Sequence, residues 1–94
     1  MVNALRIHPD DNVVMALSDL PAGTVLDLGG DGDVLNVRTL ESIPFGHKVA
    51  IRPIQRETPV IKYGASIGLA SDDITPGQHV HVHNLRSVRG AATS

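Results

Sequence analysis

The chain has 94 residues, of which 41% are hydrophobic and only 2% aromatic; it carries a formal charge of −2 and no cysteine. That excludes disulfide staples, cysteine zinc sites and thiol chemistry. It also argues against nucleic acid, which needs a concentrated basic face and, for exposed bases, aromatic platforms. The length predicts one small domain. With Phe45 and Tyr63 as the aromatics, the core is expected to be Val, Ile and Leu, residues that favour pleated sheet. Met1 to Arg6 shows no basic stretch leading into an apolar run, and nothing approaches the ~20 apolar residues of a membrane span. The expectation is a cytoplasmic domain that does not enter a membrane.

In chain order, Ala4 to His8 alternates and stops at the turn cluster Pro9-Asp10-Asp11-Asn12, predicting a short first strand. Asn12 to Leu17 suits strand or helix; its β-branched start and the nearby Pro21 favour strand. Thr24 to Leu28 and Val34 to Val37 are strands flanking Gly29-Gly30-Asp31-Gly32-Asp33, which reads as a hairpin tip. That loop lacks the ligand spacing and terminal glutamate of a calcium site and the lysine of a phosphate loop. Thr39 to Pro44 has room for one short helical turn. Lys48 to Arg52, Val60 to Tyr63, Ser66 to Ala70 and His79 to Leu85 are further strands, followed by a polar tail. The expected fold is mostly β, with few helical turns, over residues 1–86, and a flexible C-terminal tail over 87–94.

A short motif recurs in Leu20-Pro21-Ala22-Gly23-Thr24-Val25-Leu26, Ile54 to Val60, and Ile74-Thr75-Pro76-Gly77-Gln78-His79-Val80. Each sets two aliphatics six residues apart around a turn. Glycine stands fourth in two copies, where a type II turn wants positive φ. Glu57 stands there in the middle copy, so that turn is expected to be built differently. The pattern predicts a pseudo-symmetric barrel or clip.

The chemistry concentrates in His79-Val80-His81-Val82-His83-Asn84. On a strand the three imidazoles share one face, with Val80 and Val82 buried behind them. Replacing Val82 by Asp would then unfold the domain. Neutral imidazole is a common metal ligand and titrates near physiological pH. His81 and His83 can lean together onto one ion through bonds of about 2.0–2.1 Å. His79 would start ~13 Å from His83 on a straight strand, and so it is the least secure of the three. His47 and Lys48 follow Gly46 in a loop and suit an anionic carboxylate. Tyr63 is read as core packing and Asn12 as a turn residue. No serine or threonine sits in a nucleophile elbow.

Gly46-His47-Lys48-Val49-Ala50-Ile51, Pro59-Val60-Ile61-Lys62-Tyr63-Gly64, Ile67-Gly68 and Pro76-Gly77-Gln78-His79-Val80-His81-Val82-His83-Asn84 occur here in sequence. Together these segments resemble the N-terminal domain of the altronate/galactarate dehydratase family, a SAF domain with a β-clip fold. The resemblance implies one component of a metal-dependent hydro-lyase that dehydrates sugar acids, with Fe2+ or Mn2+ shared with a large catalytic subunit. It implies His81 and His83 as catalytic and metal-binding residues, and His47, Lys48 and Asn84 as substrate contacts. A small domain of this kind is expected to be inactive alone and to have the large subunit and a sugar acid as partners, with a homo-oligomer also open. Two alternatives remain: the small subunit of sulfolactate sulfo-lyase, and a non-catalytic SAF module binding carbohydrate or protein.

Overall fold

The structure is a computed structural model that describes residues 2–29 and 34–87, with side chains 34 and 35 outside the description. Strands run β1 (Ala4–Leu5), β2 (Val13–Ala16), β3 (Val25–Asp27), β4 (Val34–Arg38), β5 (Lys48–Ala50), β6 (Pro59–Lys62), β7 (Ala65–Ala70), β8 (His79–Val80) and β9 (Leu85–Arg86). They form a four-stranded sheet in the order β1-β2-β5-β8, a β3-β4 pair and a β6-β7-β9 sheet. Every pairing is antiparallel. The mostly-β expectation holds, and no helix occurs among the described residues. The helical turn expected in Thr39 to Pro44 is absent, because Ile43 bridges to Leu20 and Thr39 is buried. Gly30 to Asp33 of the expected hairpin tip, and the tail from residue 88, lie outside the described residues, although β3 and β4 do pair as a hairpin requires.

The recurring motif governs the backbone, and it has a copy that the sequence reading missed. Turns close from Thr24 N–H to the Pro21 carbonyl (3.3 Å), His47 to Pro44 (3.0 Å), Thr58 to Gln55 (3.0 Å) and Gln78 to Thr75 (3.0 Å). In each, the residue before the donor has positive φ: Gly23 86°, Gly46 83°, Glu57 69° and Gly77 93°. This is the type II geometry. Glu57 therefore does not build its turn differently; it accepts the left-handed conformation at a cost of about 1–2 kcal/mol. Its carboxylate pairs with Arg86.

The copies pair reciprocally. Leu20 bridges Ile43, and Ile54 bridges Ile74. Gly23 N–H donates to the Thr39 carbonyl (2.7 Å) and Gly46 to Ala16 (2.9 Å); in the second pair Glu57 donates to Ala70 (2.8 Å) and Gly77 to Ala50 (2.8 Å). Asp19 Oδ1 accepts from Phe45 N–H (2.8 Å), and Asp73 Oδ1 accepts from Arg56 N–H (2.8 Å). Each paired unit has its own core. One gathers Val14, Ala16, Leu20, Leu26, Ile43 and Val49; the other Val13, Ala50, Ile54, Val60, Ile74 and Val80. The four-stranded sheet is the wall between them, because Val14 lies opposite Val49 and Val13 opposite Ala50 on alternate faces.

Candidate functional site: a histidine cluster at the start of strand β5

Strand β8 ends at Val80. The strand expected to run from His79 to Leu85 is thus cut short, and residues 81–84 turn. Asn84 makes the turn: its Oδ1 accepts from His81 N–H (2.9 Å), and its Nδ2 donates to the His79 carbonyl (2.8 Å). The His81 carbonyl accepts from Asn84 N–H (3.0 Å) and Leu85 N–H (2.9 Å). Asn84 is 1% exposed, with both side-chain polar atoms engaged. It shapes the turn that carries His81 and His83. Val82, expected in the core, is 82% exposed at the tip of the turn.

The turn changes which imidazoles meet. Lys48 lies opposite Val80 and Val49 opposite His79. Continuing that register by one step sets His47 opposite His81, on the face that also carries His79. His47 and His81 stack with ring centroids 4.1 Å apart, and His47 Nδ1 is 2.8 Å from His79 Nε2. One nitrogen of each of His47, His79 and His81 lies within 4.8 Å of the other two. His83 stands at the rim, its ring centroid 5.3 Å from that of His79 and tilted by 49°. His81 and His83 do not continue a straight strand, since both lie in the turn of residues 81–84. His79, expected to stand apart, is inside the cluster.

Burial, then the charges of His47 and His83, hold His79 below the usual histidine pKa against an opposing pull from Glu41. Burial, then His47, Lys48 and His83, do the same for His81. Both shifts favour the neutral imidazole, the form that ligates metal. Two nitrogens bound cis to an octahedral ion at about 2.1 Å are about 3.0 Å apart, and about 3.4 Å apart on a tetrahedral one. The 2.8 Å separation of His47 and His79 is close to the first value. That approach is also a hydrogen-bond distance, and the three nitrogens spread over as much as 4.8 Å, so His47, His79 and His81 could hold a divalent metal only after drawing closer together.

Lys48 is half-buried, and burial followed by the Lys62 charge lowers its pKa. Asn12 is structural: its Oδ1 accepts from Ile61 N–H (2.7 Å), and its Nδ2 donates to the Pro59 carbonyl (3.0 Å). The buried Asp11, which the sequence reading left in a turn, accepts from Gly64 N–H (2.8 Å), Tyr63 N–H (3.2 Å) and His8 N–H (3.1 Å). It fixes a hairpin turn in which Tyr63 and Gly64 both have positive φ, the type I′ geometry. Tyr63, expected to pack in the core, is 58% exposed there.

The described residues thus form a small, mostly-strand domain with an imidazole cluster at one sheet edge. A family model described as the altronate/galactarate dehydratase SAF domain matches residues 2–88, and the chain belongs to that family. It is 38% identical over 87 residues to the altronate dehydratase of Bacillus subtilis, covering 93% of this chain and 17% of that protein. With the altronate dehydratase of Escherichia coli it shares 42% identity over 83 residues, covering 88% of this chain and 16% of the other. The chain therefore spans about a sixth of the length of these relatives. It is also 34% identical over 87 residues to the (2R)-sulfolactate sulfo-lyase subunit alpha of Chromohalobacter salexigens, covering 88% of this chain and 93% of that subunit.

Proposed function

We propose that this chain is the small subunit of a two-polypeptide, metal-dependent lyase acting on hydroxy acids of the sugar-acid type. In this reading His47, His79 and His81 hold a divalent ion, Fe2+ or Mn2+, at the interface with a large subunit. The observation that carries it is the convergence of three imidazole nitrogens within 4.8 Å at an edge of the domain. A metal so placed supplies Lewis acidity toward a carboxylate and its neighbouring hydroxyl. His83 stands close enough to carry a proton, and Lys48 offers a positive charge to the anion. The partner completes the coordination shell and supplies the remaining acid–base groups, so the chain alone turns nothing over.

Whether water or sulfite leaves is the second question. The sulfo-lyase reading rests on likeness to the (2R)-sulfolactate sulfo-lyase subunit alpha, and the dehydratase reading on likeness to altronate dehydratases.

Titration of the isolated chain with Mn2+, followed by calorimetry and histidine NMR, tests the metal reading. Alanine at His47, His79 or His81 is expected to weaken binding at least tenfold, and alanine at His83 less than threefold. Binding indifferent to all of them overturns it and leaves a carbohydrate- or protein-binding module. Reconstitution with the large subunit, assayed on altronate, galactarate and sulfolactate, then identifies the leaving group.

A further inference from the structure

The two paired units correspond along their second strands, and one of them is a strand short. Val25 lies opposite Arg38 on β4, as Pro59 lies opposite Leu69 on β7. Thr39 N–H donates to the Thr24 carbonyl (2.8 Å), and Ala70 N–H to the Thr58 carbonyl (2.9 Å). Leu40 N–H reaches outward to the Gly77 carbonyl (2.8 Å), and Ser71 N–H to the Asn84 carbonyl (3.0 Å). Asn3 borders β3 as Asn12 borders β6: its Oδ1 accepts from Asp27 N–H (2.9 Å), and its Nδ2 donates to the Val25 carbonyl (2.9 Å). Arg38, Thr39 and Leu40 are therefore the counterparts of Leu69, Ala70 and Ser71. In the second unit the chain continues past Asn84 as β9, setting Leu85 opposite Ala70 and Arg86 opposite Leu69. In the first unit the chain turns away after Gly77 into β8, which pairs with β5 instead. Among the described residues β3 and β4 remain a two-stranded sheet, with no strand beside Arg38.

The place that a counterpart of β9 would fill is a cavity of about 370 Å³, walled by Val25, Asn36, Val37, Arg38, Leu40 and Pro76. Leu40 is 59% exposed and Val25 37%, large aliphatic side chains beside an uncovered strand edge. Charge is transposed between the two units. In the second, the added strand brings Arg86 to Glu57 of the turn. In the first, Gly23 stands where Glu57 does, and the cation is Arg38 on the receiving strand. Its guanidinium donates to the Gly23 carbonyl (3.2 Å), and it belongs to neither of the described ion pairs. A strand that completes this sheet thus needs a carboxylate where β9 has arginine, and an aliphatic side chain for the cavity. A second copy of β4, Val34-Leu35-Asn36-Val37-Arg38, has no carboxylate and would bring another arginine. The open edge also adjoins the histidines, since Glu41, next to Leu40, accepts from His79 N–H through Oε2 (3.1 Å).

We propose that the outer edge of β4 takes an extended segment of the large subunit as a third, antiparallel strand. Its aliphatic side chain lies against Val25, Leu40 and Pro76, and its carboxylate beside Arg38. Strand addition of this kind draws affinity from main-chain hydrogen bonds and selectivity from the pocket. This rests on the reading of the chain as one of two polypeptides, and it deepens that reading by naming the surface that joins them. A subunit docked here lies beside the imidazole edge that it has to complete.

The test measures binding of the full chain to the large subunit by sedimentation velocity. Leu40→Asp should weaken binding about tenfold or more, because a charge then faces the apolar cavity. Leu40→Met should keep it within about twofold. Arg38→Glu should weaken it about fivefold by repelling the incoming carboxylate, and Arg56→Glu, an exposed reversal in the second unit, should not. Hydrogen exchange gives an independent readout. The Arg38 amide, outward-facing like that of its counterpart Leu69, should exchange freely in the isolated chain and about tenfold or more slowly in the complex. Protection already present in the isolated chain, or free exchange in the complex, overturns the proposal. Binding indifferent to both Leu40→Asp and Arg38→Glu, or weakened as much by Arg56→Glu, overturns the docking edge alone. If the parent chain binds no large subunit, the edge and the two-polypeptide reading fall together.

Discussion

The paired-turn unit built on Leu20 and Ile43 and the one built on Ile54 and Ile74 have the same backbone and different sequences. The first uses Gly23 and Gly46, and a Cβ at either would meet open space. The second uses Glu57 and Gly77, and a Cβ on Gly77 would collide with the Arg38 carbonyl oxygen. Two demands that glycine usually meets together are here separated. Left-handed φ alone costs about 1–2 kcal/mol, and Glu57 tolerates it. Close backbone approach tolerates no side chain, and Gly77 alone of these turn residues faces it. The hydrogen bonds set the turn; glycine is required only where a neighbouring chain crowds it.

Substitutions can break or sharpen this contrast. Gly77→Ala should lose about 3 kcal/mol or more, the sum of backbone strain and a steric clash, while Gly23→Ala should lose about 1 kcal/mol. Urea unfolding measures both, and equal losses would erase the distinction. Asn84→Ala should cost about 2 kcal/mol, since it leaves the buried His81 N–H and His79 carbonyl without partners. It should also weaken Mn2+ binding by releasing the imidazoles; unchanged binding would detach the turn from the site.

Asp19→Ala and Asp73→Ala should each cost about 1 kcal/mol, one backbone hydrogen bond apiece. A large inequality between them would show that the two units are alike in shape only. Acid should destabilise the fold through His79 and His81. Their folded pKa values lie below 6.5, so the unfolded chain binds more protons as pH falls through that value. The stability they confer is complete above 6.5 and is lost as pH drops through the folded values. Denaturation curves for His81→Ala should be flatter over that window than those of the parent chain. Smallest of all, Val82→Asp should change stability by less than about 0.5 kcal/mol because the side chain is 82% exposed. Unfolding of that variant would restore the buried assignment drawn from the alternating pattern.

The fold was legible because its signals are local. β-branched runs mark the strands, and a proline at or just before the turn with a glycine one or two residues on marks three of the four turns. The copy at Ile43-Pro44-Phe45-Gly46 carries the same signature as Leu20-Pro21-Ala22-Gly23, yet it was obscured by the expectation of a helical turn across Thr39 to Pro44. The site was half legible. His47, His79 and His81 all stood out as residues, but their partnership depends on the β5–β8 register, which links positions 32 residues apart. Alternation in His79 to His83 imitates a strand, and only the buried amide of Asn84 shows that it is a turn. Asn84 was visible beside the histidines, but its closing of the turn depends on two hydrogen bonds to the backbone that the alternating pattern conceals.

The shared wall has a consequence for how the molecule comes apart. Val13 and Val14 are consecutive residues on β2 and serve different cores, as do Val49 and Ala50 on β5. Neither unit can loosen without stripping one side of a sheet whose other side supports its counterpart. The duplicated design is therefore not modular. Unfolding should follow a single two-state transition, with the amides of β2 and β5 exchanging with solvent only through global opening. A cut between Arg52 and Pro53 should give two fragments that fold together or not at all.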